Sequence, residues 1–267
     1  VNPALLTSVF DAQQKSWAGQ AVFAMVQTLA RHVEKMPTLD LLVIDEAHHA
    51  AATSYRRVID STLARNPQCL ILGVTATPNR GDRKGLREVF SNVADQIRLG
   101  ELIRSGHLVP PRTFVIDVGT TEQLAQVRQT ADDFDMNAVA DIMNRSPVNE
   151  AVVRHWKEKA AGRKTIAFAS TVAAEFNAQG VNAVLVHGEL SAEERRARLA
   201  AFESGDVDVV VNVGVLTEGY DYTPTSCIVL LRPSSYKSTL IQMIGRGLRV
   251  VDPAEHPRVV KTDCIVL

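Results

Sequence analysis

The residues best suited to chemistry are two adjacent carboxylates, Asp45 and Glu46, which end the apolar run Leu39-Asp-Leu-Leu-Val-Ile44. In an open parallel sheet, ligands bind beyond the carboxyl ends of the strands, which is where a nucleotide would meet this pair. Asp45 suits a hard cation such as Mg²⁺, which needs oxygen ligands, and Glu46 suits the orientation and deprotonation of a water. A second run, Cys69-Leu-Ile-Leu-Gly-Val-Thr-Ala-Thr-Pro78, ends in Thr75 and Thr77. Their hydroxyls can bond carboxylates or backbone at the strand tips and transmit a nucleotide-dependent shift. Much later in the chain, Arg246 and Arg249 are three apart, so a helix would project both from one face. A planar guanidinium matches phosphate, and an arginine aimed at a transferred phosphoryl group stabilises its charge. Each feature alone also has a plainer reading: an Asp-Glu pair opening a solvated turn, capping hydroxyls, or an exposed basic helix end favoured by its dipole.

These groups need a scaffold, and short Val-, Ile- and Leu-rich runs alternating with longer amphipathic stretches predict a parallel sheet covered by helices on both faces. Strands are expected at Ala21–Met25, Leu39–Ile44, Cys69–Val74, Thr113–Asp117, Thr165–Ala169, Ala183–Val186, Val207–Val211 and Ser226–Leu231. Helices are expected at Val26–Glu34, Ala51–Arg65, Asn137–Asn144, Val148–Ala161, Ala192–Glu203 and Ser238–Ile244. The Pro110–Pro111 pair removes two backbone donors and fixes an extended course, which sets a domain boundary there. The domains are then residues 1–111 and 112–267. The stretch from Gly119 to Asp135 is polar and acidic and reads as a loop with some helix. The connection Ser170–Gly180 leaves barely two helical turns for a crossover, which suggests that residues near Val172–Ala173 are missing.

The 267 residues are enough for two α/β domains with buried cores, since 46% are hydrophobic. With 29 basic and 30 acidic side chains the net charge is −1, which excludes a histone-like polycation but not a local nucleic-acid groove. Cys69, Cys227 and Cys264 sit in apolar runs and read as reduced core residues, and the seven histidines lack zinc-ligand spacing. No apolar run approaches the ~18 residues of a membrane span, so no membrane partner and a cytoplasmic location are expected.

Taken together, the motifs resemble superfamily 2 DEAD/DEAH-box helicases over nearly the whole chain. Asp45-Glu46-Ala47-His48 matches the DEAH box and Thr75-Ala76-Thr77 matches motif III. Thr165-Ile-Ala-Phe-Ala-Ser-Thr171 looks like motif IV, and Val186-His-Gly-Glu-Leu-Ser191 resembles a further family segment in which Ser191 could cap the helix begun by Glu193 and Glu194. Asn212-Val-Gly-Val-Leu-Thr-Glu-Gly-Tyr-Asp221 resembles motif V, and Gln242-Met-Ile-Gly-Arg-Gly-Leu-Arg249 matches motif VI. The resemblance implies two RecA-like domains, the first incomplete at its N-terminus, that bind ATP and Mg²⁺ between them and nucleic acid across the top. Asp45 would hold Mg²⁺, Glu46 would act on water, and His48 would link the box to Gln242. Arg249 would be the arginine finger and Arg246 a further phosphate or box contact. In motif V, Gly219 would allow a tight turn, Asp221 would accept a bond from the nucleotide sugar or a motif VI arginine, and Thr217 would contact nucleic acid. Ser170 and Thr171 would meet its backbone, while Thr75 and Thr77 would couple the two events. The strings around Thr75, Gly106 and Gln242 look most like the bacterial repair and restriction group, similar to RadD and XPB, which favours DNA over RNA and allows protein partners in repair or defence.

No Gly-x-x-x-x-Gly-Lys-Ser/Thr run occurs in the sequence. Gly162-Arg-Lys-Thr165 precedes a strand and reads as a helix cap and strand entry. Because Ala21-Val-Phe-Ala-Met-Val-Gln-Thr-Leu29 looks like motif Ib, the phosphate loop is expected upstream of Val1. Two alternatives accompany the helicase reading: a double-stranded DNA translocase subunit of a restriction or phage-defence complex, and a nucleic-acid-binding module that is inactive without the loop.

Overall fold

A computed structural model describes residues 5–77, 86–127, 135–169, 171–216, 220–231 and 237–267, with the side chains of 136, 137, 237 and 238 excepted. The chain divides into two compact units, Val1–Asp95 and Gln96–Leu267. Pro110 and Pro111 lie inside the second unit, where Pro111 opens a strand.

In the first unit, β1 (Thr7–Phe10) pairs in parallel with β2 (Ala21–Ala24), which leads into the short helix α1 (Val26–Leu29). The helix expected to run to Glu34 stops early and is followed by a separate 3₁₀ turn at Val33–Lys35. β3 (Leu41–Ile44) is joined by α2 (Thr53–Arg65) to β4 (Leu70–Gly73), and the two strands pair in parallel with Leu41 opposite Leu70 and Ile44 opposite Gly73. One face of this pair packs Leu42, Ile44 and Ile71 against Ile59 and Phe90. Its other face leaves Leu41, Val43, Leu70 and Leu72 between 44% and 69% exposed, whereas parallel sheets are ordinarily covered on both sides.

The second unit opens with α3 (Leu99–Arg104), β5 (Pro111–Thr113), α4 (Thr121–Ala125) and α5 (Met136–Met143). The remaining elements are α6 (Ser146–Ala160), β6 (Thr165–Phe168), α7 (Val172–Ala178), β7 (Ala183–His187), α8 (Ala192–Ser204), β8 (Val209–Val213), β9 (Cys227–Leu230), α9 (Lys237–Leu248) and β10 (Cys264–Val266). Among the described residues, six strands form one parallel sheet in the order β5-β10-β9-β6-β8-β7. Seven-residue α7 carries the chain from β6 past β8 to β7.

Strand alternation explains why this sheet is covered on both sides. Ala167, Val209, Val211 and Val229 face one layer with Val152, Trp156 and Phe176, while Ile166, Phe168, Val210 and Ile228 face the other with Phe202, Met243 and Leu248. Each fully buried Val, Leu, Ile, Phe or Met among them contributes roughly 1.5–3 kcal/mol by leaving water. One buried polar pair in this core is matched locally, with Trp156 Nε1 donating to Thr165 Oγ1 at 2.8 Å. The three cysteines are free and buried, and burial pushes the Cys227 thiol up to about 12.

The glycine-rich end of α9 has a steric cause. A Cβ on Gly247 would stand 2.4 Å from Cys264 Sγ and 2.7 Å from Ile228 Cγ1, so only glycine lets the helix approach β9 and β10 this closely. Gly247→Ala is expected to lower the unfolding free energy by about 1–3 kcal/mol, as overpacked cores do, and urea unfolding measures it. An unchanged midpoint would mean that α9 can shift without cost.

Candidate functional site

The first cluster is built at the tips of β3 and β4. Where β3 ends, Asp45 Oδ1 accepts the Glu46 backbone N–H at 2.8 Å. Glu46 itself adopts a left-handed backbone with φ of 49°, the only non-glycine among the described residues with positive φ. That conformation crowds Cβ against the following carbonyl and costs roughly 1–2 kcal/mol, and such strain collects at functional sites. A 3₁₀ turn at Ala47–His49 follows, pinned by the Ala47 N–H donating to the Val74 carbonyl at 2.9 Å.

His48 binds the two strand tips together. Its Nδ1 lies 3.2 Å from Glu46 Oε2, 3.0 Å from Thr75 Oγ1 and 3.5 Å from Thr77 Oγ1, and its side chain is only 12% exposed. Thr75 Oγ1 also accepts the Thr77 backbone N–H at 3.1 Å. Asp45, Glu46, His48 and the two threonines, drawn together from positions 45 to 77, therefore form one hydrogen-bonded unit. His49, for which the motif gives no role, places its ring 4.1 Å from that of His48 and 6.2 Å from that of Tyr55.

Gly73 is a contributor that motif reading passed over. A Cβ there would meet Ala47 Cβ at 2.8 Å and the Phe90 ring at 2.4 Å, so the absence of a side chain lets the turn after Glu46 pack on β4. The signal was present, since a glycine inside a strand marks close backbone approach.

The second cluster lies in the second unit, around the end of α9. Arg246 donates to the Tyr220 carbonyl, and the Arg249 guanidinium pairs with the Asp221 carboxylate. The segment expected to receive a motif VI arginine thus receives two. Gln242 lies on α9 and is half-buried. Lys261 fastens the same corner, donating from Nζ to the carbonyls of Thr223 and Arg249, each at 2.7 Å. Sequence reasoning missed Lys261 because it belongs to no motif and becomes relevant only through the fold.

Burial lowers the Lys261 pKa from an ordinary 10.5 to about 8. For a lysine with a depressed folded value, the cost of the buried charge is fully present below pH 8. It is relieved as pH rises from 8 toward 10.5, because the folded state deprotonates before the unfolded one. The melting temperature of wild type minus that of Lys261→Met should therefore rise between pH 8 and 10. A difference independent of pH over this window would contradict the buried charge.

Thr171 heads α7, where its Oγ1 donates to Asn144 Oδ1 at 2.9 Å and accepts from Asn149 Nδ2 at 3.3 Å. Ser191 caps α8 as expected: its Oγ accepts the Glu194 N–H at 3.2 Å, and Glu194 Oε2 accepts the Ser191 N–H at 3.0 Å. The hydroxyl holds the exposed Glu194 carboxyl below its ordinary pKa. Gly162 takes a φ of 75° directly after α6, so the Gly162–Thr165 stretch is the helix cap and strand entry. Ser170, Thr217 and Gly219 lie outside the described residues.

Among the described residues, no group of three or more His, Cys, Asp or Glu side chains could hold a metal by itself. A lone strand-end carboxylate such as Asp45 fits Mg²⁺ carried in on substrate phosphates, which keeps most of its ligands as water and phosphate oxygen. Among the described residues no helix is long and apolar enough to cross a membrane.

Known proteins resemble this chain in sequence and fold. The family model of the type III restriction enzyme res subunit matches residues 6–80, and that of the helicase conserved C-terminal domain matches residues 146–251. The helicase-family protein IRC3 of Saccharomyces cerevisiae is 31% identical over 90% of this chain and 36% of its own length. The relative of the same name from Schizosaccharomyces pombe, named as mitochondrial, is 31% identical over 85% of this chain and 37% of its length. The chain thus spans little more than a third of these relatives.

Solved structures agree on the fold. A fragment described as an HsdR subunit of a type I restriction enzyme from Vibrio vulnificus superposes with a TM-score of 0.69, at 20% identity, over 97% of this chain and 52% of that one. S. cerevisiae Dbp5 bound to RNA and ADP BeF3 gives 0.57 at 14% identity, over 98% and 63%. The type ISP restriction-modification enzyme LlaBIII bound to DNA gives 0.55 at 16%, over 92% and 19%. The two family models and the IRC3 likenesses support a superfamily 2 helicase, and the solved structures show the RecA-like α/β fold.

Proposed function

We propose that the chain is the motor core of an ATP-dependent DNA helicase or translocase of the RadD- and XPB-like group. The observation that carries this reading is the His48 contact set, which joins Glu46 to Thr75 and Thr77. A carboxylate that senses nucleotide is thereby tied to hydroxyls that can pass the change to a nucleic-acid surface.

In this proposal Asp45 holds Mg²⁺ and Glu46 orients and deprotonates the attacking water. When bound, Mg²⁺ neutralises charge on the phosphates of ATP. Arg249 stabilises charge on the transferred phosphoryl group, Arg246 holds the end of α9 against the Tyr220 carbonyl, and Gln242 contributes to nucleotide binding. Gly219 gives the motif V turn its tightness. Thr171, Ser170 and Thr217 contact the nucleic-acid backbone, and Thr171 does so by exchanging one of its bonds to Asn144 or Asn149. The restriction-enzyme likenesses favour DNA, and partners in repair or defence fit the same group. A cytoplasmic location is part of this reading.

ATP hydrolysis by the full-length polypeptide, measured without nucleic acid and with single-stranded DNA, duplex DNA or RNA, tests the proposal. Stimulation by DNA above RNA supports it, stimulation by RNA alone overturns the DNA preference, and no hydrolysis under any condition leaves only a binding module. The restriction likenesses also favour a second reading, duplex translocation without strand separation. Triplex displacement without strand displacement would select it.

A further inference from the structure

A cavity of about 290 Å³ opens in the second unit at the carboxyl ends of β6, β8 and β9, the edge of a parallel sheet where ligands bind. This is near the lower end of the ~300–1,000 Å³ range of small-molecule pockets, room for one ring system rather than a whole nucleotide. Met143, Phe168, Leu231 and Met243 give it apolar walls. Its polar groups are the amides of Asn144, Asn149 and Asn212 and the hydroxyl of Thr171. Among the described residues lining it none is charged, so it offers no compensation to a phosphate or carboxylate.

Asn212 is the unusual member. It is 2% exposed, and its Oδ1 accepts the N–H groups of Val215 at 3.1 Å and Leu216 at 2.9 Å. Two backbone donors on one atom fix the orientation of the amide, which leaves Nδ2 as the other end, and among the described residues Nδ2 has no hydrogen-bond partner. Buried donors without acceptors are rare in folded proteins and call for a ligand or water. Carboxamides pair with the donor and acceptor edges of nucleobases, and a neutral apolar slot suits a planar ring.

We infer that this cavity receives a nucleobase, with Asn212 Nδ2 as donor to it. The inference rests on the nucleic-acid motor reading for its preferred source, an unpaired base of the bound strand, and a free nucleoside presents the same chemistry. An unpaired base inserts edge-first, its ring between the Met143 and Met243 thioethers and its acceptor toward Asn212.

The fluorescent base 2-aminopurine separates the sources when offered to the full-length polypeptide as its free nucleoside and inside a single-stranded DNA oligonucleotide. Brightening in the oligonucleotide on binding, as the base leaves its stack, supports strand insertion. Saturable binding of the nucleoside alone supports the cavity with a free source, and it does so even if the polypeptide binds no DNA and the motor reading fails. Asn212→Asp keeps the acceptor for Val215 and Leu216 but replaces the donor, and should weaken the responsive form about tenfold, the worth of one hydrogen bond. Met143→Trp fills the cavity from another element and should abolish the response, which guards against a folding defect in the first variant. Oligonucleotide binding with no brightening and no nucleoside binding overturns the inference, as does an unaltered response in both folded variants, which would leave a water as the Asn212 partner.

Discussion

Glu46→Gln lowers nucleic-acid-stimulated ATP hydrolysis by the full-length polypeptide about 10²–10⁴-fold, the range that a positioned general base contributes. The substitution preserves side-chain volume and a polar atom for His48 Nδ1, 3.2 Å away in the wild type, so the turn at Ala47–His49 should stay in place. What it removes is the ability to take a proton from water. Nucleotide affinity and melting temperature should therefore remain at wild-type values. A rate within threefold of wild type, or a loss fully explained by lost stability, would sink the assignment of Glu46 as base.

Arg249→Ala should cost about 10³–10⁵-fold in kcat, which is what an arginine finger supplies to phosphoryl transfer. The pairing of Arg249 with Asp221 makes the prediction more specific. Asp221→Asn frees the guanidinium without removing it, so its effect on kcat should be far smaller than that of Arg249→Ala. Arg249→Lys should recover little, because an ammonium replaces a planar fork with a point charge. If Arg249→Ala costs less than tenfold while Arg246→Ala is nearly inactive, the finger is Arg246 and Arg249 serves only the corner held by Asp221 and Lys261.

Periodicity made the second unit legible because its helices are long and its strands are buried on both faces. The run Ser146–Ala160 places Val148, Val152, Val153 and Trp156 on one side, so α6 could be placed within two residues at each end. Short elements with little of either signal were missed. β10 offers three residues, Cys264–Val266, and α7 offers seven, and both depend on contacts made elsewhere in the chain. The strand expected at Thr113–Asp117 forms instead at Pro111–Thr113, because β10 fixes the register, with Cys264 opposite Pro111.

The candidate site divides similarly. Asp45, Glu46, Thr75, Thr77, Arg246 and Arg249 could be named from residue type and spacing. The left-handed backbone at Glu46 could not, since glutamate carries no preference for it and surrounding contacts impose it. Lys261 was equally hidden, being a lone lysine whose importance lies in the two carbonyls it reaches.

The strand order of the second unit also bears on how the polypeptide is made. β10 sits between β5 and β9, so the first strand of this sheet gains its neighbour only when the last has been synthesised. During translation β5 must wait with open backbone groups, and a ribosome that stalls before Cys264 releases a sheet with an unpaired edge. Such nascent chains would depend on chaperone protection, and the closing step would be slow because it joins segments so far apart in sequence.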